Sequence, residues 1–241
     1  MSAPTAPAPA PAPTRAARTG WWVITGLALV IVLVSLGTYM TQSLADIGDD
    51  SSVARTYANG PAALQSAFYA HVVAASAALA LGPFQFSQRL RRRFTAAHRA
   101  SGRVYVGAVA IGGVSGLVIA PFNSAGALGT AGFGMLGALW LVSVVMAYRA
   151  ARRRDLPRHR AWMIRNYALT FAAVTLRAWL PILIVATVAA GETDPEAAFA
   201  SAYLWVPFLC WVPNIAVAEW LVVRRGLPSV VTLWNRRATR H

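Results

Sequence analysis

Residues 152–196 read RRRDLPRHRAWMIRNYALTFAAVTLRAWLPILIVATVAAGETDPE. From Trp162 to about Ala189 the run is almost wholly apolar. A bilayer core about 30 Å thick needs about 20 apolar residues in a helix, so this run predicts a transmembrane span. Pro181 inside it is no obstacle, because bilayer helices tolerate proline better than soluble ones. The flanks differ in sign. Arg152, Arg153, Arg154, Arg158 and Arg160 precede the run, and Glu192, Asp194 and Glu196 follow it. An arginine-rich flank of this kind marks the cytoplasmic side.

Five further segments satisfy the same length criterion. They run from Trp21 to about Met40, Ala62 to Phe86, Val104 to Ala120, Gly132 to Tyr148 and Phe199 to Val223. Composition agrees: 57% of the 241 residues are hydrophobic and 12% charged. A soluble domain has about 25% charged residues, so two water-soluble domains are excluded and a polytopic membrane protein remains. The fold class expected is all-α, with six transmembrane helices. The net charge of +14 comes from arginine alone, without lysine. Twenty of the 22 arginines fall before span one, between spans two and three, between spans four and five or just inside the start of span five, or after span six. The opposite loops hold Asp46, Asp49, Asp50, Glu192, Asp194 and Glu196, with only Arg55 against them. Both termini are therefore expected in the cytoplasm, and the protein in the bacterial inner membrane. The basic residues point to anionic lipid headgroups at the cytoplasmic face as partners, and not to nucleic acid.

Residues 1–20 form an Ala/Pro-rich tail expected to be disordered, residues 21–225 the six-helix domain, and residues 226–241 a basic tail. In that tail Leu227, Val230, Val231 and Trp234 share one helical face, the pattern of a short amphipathic helix on the inner interface. The first apolar run is too long for a signal peptide and is expected to be retained. Cys210 is the only cysteine, so neither an intrachain disulfide nor a cysteine metal site is expected.

Polar groups inside spans are costly and therefore informative. His71 lies on a face of small residues with Ala75, Ala78 and Gly82. It either packs against a neighbouring helix or ligates a flat partner. His98 and His159 stand just before spans three and five at the same level, in similar contexts, His98-Arg99 and His159-Arg160. Either they contact lipid phosphates, or they bind one haem iron or an anion. Asp155 and Pro157 look like the N-cap and first turn preceding His159. His159, Asn166, Thr170 and Arg177 fall on one helical face as a polar stripe, with Arg177 near His71 in depth. Arg177 is either an anchor for helix packing or an anion clamp. Glu219 is at the depth of Arg165 and is expected to pair with it. No nucleotide, hydrolase or zinc motif is present, and no metal site is expected.

Several runs carry a resemblance: Leu81-Gly82-Pro83-Phe84-Gln85-Phe86, the two His-Arg motifs, Trp162-Met163 with Arg165-Asn166-Tyr167-Ala168-Leu169-Thr170, Leu176-Arg177, Pro213-Asn214 and Ala218-Glu219-Trp220. Together these resemble a family of predicted bacterial and fungal multi-pass membrane proteins of unknown function, over roughly residues 60–225. The chain also loosely resembles the transmembrane b-type cytochromes of the ascorbate-reducible and ferric-reductase kind. That second resemblance implies haem b between helices three and five, with His98 and His159 as ligands and Arg99, Arg103 or Arg160 meeting its propionates. His71 matches one ligand of an outer haem, whose second ligand is missing because span four has no histidine.

Three functions follow as expectations. The first is electron transfer through one b-type haem at the cytoplasmic end. The second is a carrier or binding protein for a small anionic molecule or lipid, lined by His71, Asn166, Thr170 and Arg177. The third is an accessory membrane subunit.

Overall fold

A computed structural model describes residues 15–50 and 52–229. Residues 1–14 of the Ala/Pro tail, and Val230, Val231 and Trp234 of the expected amphipathic helix, lie outside the described residues. Among the described residues all regular structure is helical: α1 (Arg15–Thr41), α2 (Leu44–Asp50), α3 (Ser52–Ala58), α4 (Ala62–Gln85), α5 (Gln88–Arg93), α6 (Thr95–Ile119), α7 (Gly126–Arg152), α8 (Leu156–Thr170), α9 (Ala172–Ala189), α10 (Pro195–Leu209) and α11 (Val212–Arg224), with a 3-10 turn at Ala120–Phe122. Six segments are long and apolar enough to cross a bilayer: α1, α4, α6 with its 3-10 turn, α7, the pair α8–α9 and the pair α10–α11. Large apolar side chains such as Leu33, Val114, Val185 and Trp205 are exposed along them. In lipid such exposure carries no hydrophobic penalty.

The tightest pairing is α4 on α6, and small residues make it possible. A Cβ on Gly116 would lie 3.0 Å from the His71 ring, and one on Gly112 would lie 3.4 Å from Ala75 N of α4. Close approach of this kind replaces hydrophobic driving force between helices in lipid. Around this seam the core gathers Val109, Trp140, Val144, Tyr167 and Leu169.

Three local features differ from the sequence expectation. First, α1 begins at Arg15, so residues 15–20 extend the first span instead of joining a disordered tail. Arginine and alanine are strong helix formers. Second, the acidic loop after span one folds into α2 and α3. Leu44, Ile47, Ala54 and Tyr57 pack on Leu64 and Phe68 of α4. Asp46 caps this piece through Ser43, which donates to it from both N and Oγ and holds its carboxyl below the usual range. Burial pushes the Tyr57 hydroxyl up to about 12.

Third, spans five and six are each interrupted mid-way, at Phe171 and at Cys210–Trp211. Pro213 accounts for the second interruption, since it has no N–H to continue the ladder. Side chains satisfy the backbone there. Asn214 Nδ2 donates to Cys210 O at 3.0 Å and across to Ala168 O of α8 at 3.1 Å. Thr175 Oγ1 donates to the same Cys210 carbonyl. The two interruptions face each other and share their hydrogen bonds, which a bilayer without water requires.

Candidate functional site

One end of the bundle carries the arginines of α5 and of the α7–α8 turn, together with His98 and His159. His98 sits in the first turn of α6, where its N–H donates to Phe94 O. His159 sits in the first turn of α8, which Asp155 caps by accepting from Arg158 N at 3.1 Å, with Pro157 in the first turn. Arg91, and after it His159, stand near enough to act on His98 through their charge. Burial, and then the neighbouring Arg160 and Arg92 charges, pull the Arg91 guanidinium below its usual range. Arg99, Arg103 and Arg160 are exposed at this end.

The two imidazoles have different partners. His159 Nδ1 lies 2.9 Å from Ala147 O. A carbonyl only accepts, so Nδ1 carries the proton and Nε2 keeps a free lone pair. His98 Nδ1 is buried with no hydrogen-bond partner. Beside it, Gln85 of α4 donates to Ser101 at 3.0 Å, and a Cβ on Gly102 would lie 3.2 Å from Gln85 Oε1. Gln85 thus packs on Ser101 and Gly102, one turn along α6 from His98.

Two turns deeper, Asn166 and Thr170 of the polar stripe join a hydrogen-bond network with three residues that the sequence had not singled out. Tyr105 of α6 donates to Asn166 Oδ1 at 2.6 Å and lies 3.1 Å from Thr170 Oγ1. Trp140 Nε1 donates to Thr170 at 2.9 Å. Asn166 Nδ2 donates to Trp140 O and to Ser143 Oγ. Tyr105 and Asn166 are both 0% exposed. The spacing His98–Tyr105 equals His159–Asn166, so each histidine stands two turns above a member of this network. That repeat was the available signal, and Tyr105, Trp140 and Ser143 were missed because nothing in sequence says that α6, α7 and α8 meet there.

The residues expected to line an anion cavity are held by different partners. Asn166 and Thr170 are sealed in the network. Arg177 donates to Ala173 O at 3.0 Å and to Ser35 of α1 at 2.8 Å. His71 Nδ1 lies 2.7 Å from Gly112 O, and Arg177 acts on it only through charge. The stripe therefore divides near Phe171: its first part faces α6 and α7, and Arg177 faces α1. Toward the histidine end, Arg165 makes a two-point ion pair with Glu219, donates to Pro228 O at 3.3 Å and stacks on Trp162. Gly226, at φ 59°, turns the chain after α11 so that this carbonyl reaches Arg165.

The family model described as a predicted membrane protein (DUF2306) matches residues 68–222. The chain belongs to this family. The match runs from just before His71 to just after Glu219, so it includes both histidines of the pair, the buried network and Arg177, and leaves out α1 with Ser35. No curated protein and no solved structure matches the chain.

The Tyr167 hydroxyl is buried without a partner, with its ring between Phe86 and Phe171. An unsatisfied buried hydroxyl costs about 1–3 kcal/mol. Tyr167→Phe is therefore expected to raise stability by about 1 kcal/mol, read as a higher midpoint on thermal unfolding in detergent; a lower midpoint would show that the hydroxyl has a partner.

Proposed function

We propose that this family member is a membrane electron-transfer protein that would hold one b-type haem at its arginine-rich end through His98 and His159. The carrying observation is the pairing of a buried, unpartnered imidazole nitrogen on His98 with a neighbouring His159 whose tautomer is fixed by Ala147 O. Ligating histidines characteristically donate their second ring N–H to a backbone carbonyl in this way, which orients the ring and leaves the other nitrogen free. The donor set fits a haem: two imidazoles from two helices, with arginines at the rim. Haem bound there supplies one-electron chemistry.

The chain's own contributions are specific. Ala147 O holds the His159 proton on Nδ1. Arg99, Arg103 and Arg160 provide cations for propionate carboxylates, and a local excess of positive charge favours the reduced, less positive state of the iron. The Tyr105–Asn166–Thr170 network keeps water from reaching deeper between α6 and α8. We further propose that this end faces the cytoplasm of a bacterial inner membrane, where its arginines meet anionic headgroups.

The test is a visible spectrum of the purified protein before and after dithionite. The expected result is a Soret band with sharp reduced α and β bands. His98→Ala and His159→Ala should each abolish these bands while the protein still inserts and elutes as a single species. A featureless spectrum after haem-supplemented expression would remove the proposal, as would full haem retention in both single variants.

A further inference from the structure

We propose that the cavity between the end of α7 and the start of α8 is a binding site for one phosphate group. It holds about 140 Å3 and is lined by Met146, Arg149, Ala150, Arg153, Asp155 and Arg158. Liquid water occupies about 30 Å3 per molecule, so the space admits four or five water-sized groups, the size of a single phosphate.

The chain is folded to bring the cations together. After α7, Arg154 takes the left-handed conformation at φ 58°, a position usually given to glycine. Asp155 N then donates to Ala150 O, and Arg154 N to Ala151 O, both at 3.0 Å. This tight reversal sets Arg158, in the first turn of α8, against Arg149 of α7 and Arg153 just after it.

The charges do not cancel within the site. The sole carboxylate lining it, Asp155, is occupied with Arg158, accepting from its backbone N–H and lying 3.6 Å from its Nε. Arg149 and Arg153 make no side-chain hydrogen bond or ion pair among the described residues. Planar guanidinium forks match phosphate oxygens two at a time, and the N-terminal end of α8 adds its positive dipole. On the bundle side of the cavity, α7 exposes Val142, Val145 and Met146 to the lipid. That apolar strip is suited to acyl chains, so the ligand is a phosphate ester of a lipid or a free phosphate with the same chemistry. The inference does not depend on the haem proposal, because no lining residue is a proposed ligand.

The test compares the wild-type chain with Arg149→Ala and Arg153→Ala, and with Arg152→Ala and Arg93→Ala. The latter two arginines are equally exposed but do not line the cavity. Native mass spectrometry in detergent reads retention of phosphatidylglycerol against phosphatidylcholine, and calorimetric titration reads inorganic phosphate. The expected result is selective retention of one phosphatidylglycerol, reduced about tenfold in each lining variant and unchanged in the controls. If phosphatidylglycerol shows no selectivity but inorganic phosphate binds with the same arginine dependence, the site stands with a soluble ligand. Equal losses in lining and control variants would overturn it, since general attraction to a basic surface would then suffice. Absence of both lipid selectivity and phosphate binding would overturn it too.

Discussion

Glu219→Leu is expected to destabilise the folded bundle by about 3 kcal/mol, at the lower end of the 3–5 kcal/mol cost of breaking a buried ion pair. Arg165 is 4% exposed, and Glu219 is the only carboxylate that it meets among the described residues. Without Glu219, the guanidinium keeps only the Pro228 carbonyl and the Trp162 face, and one of its nitrogens already lacks a partner. The lower end applies because Glu219 itself is 32% exposed, so the pair is only partly buried. The companion experiment is decisive. The double variant Arg165→Met with Glu219→Leu should recover most of the loss, because replacing both charges by apolar groups leaves nothing uncompensated. Unfolding in mixed micelles with increasing SDS reads both effects. A double variant as unstable as Glu219→Leu would show that the residues act separately.

Gly82→Ala is expected to cost about 1–3 kcal/mol even though alanine is the better helix former. The added Cβ would stand 2.1 Å from Cε2 and 2.3 Å from Cδ2 of Tyr167. No real structure keeps such contacts, so the ring or the helix must move. The ring is confined by Phe86 and Phe171, with centroids 5.8 Å and 6.2 Å away. The substitution therefore pushes α4 away from α8. Pairing it with Tyr167→Leu should restore much of the stability by giving the methyl group room. Thermal unfolding in detergent measures both, and a neutral Gly82→Ala would mean that α4 and α8 are not in contact at this level.

The two predictions differ in how far sequence anticipated them. Arg165 and Glu219 were matched by depth, since charges inside apolar runs have few partners at the same level. Gly82 and Tyr167 both lie in the runs that carry the family resemblance, yet their contact was not legible. Glycine on a helix face permits close approach but names no neighbour. The same limit explains Tyr105, Trp140 and Ser143, whose hydrogen bonds with Asn166 and Thr170 depend on three helices meeting. It also explains why Arg177 serves Ser35 of α1 instead of a cavity shared with Asn166: an 11-residue spacing aligns two side chains on an uninterrupted helix, and α8 and α9 are divided at Phe171.

By itself the sequence determined the number of spans and the concentration of arginine at one end, because the length of an apolar run is set by bilayer thickness and charge stays outside it. It also determined the helix start at Asp155, a local matter of one side chain and the next turn. Tertiary structure alone decided which face of each helix met which neighbour. In water an amphipathic pattern announces the buried face, but in lipid both the buried and the exposed faces are apolar, so the pattern is nearly silent. Where His98, His159, Arg149 and Arg153 stand relative to one another was therefore a property of the packed bundle, set by small residues and side-chain hydrogen bonds between helices.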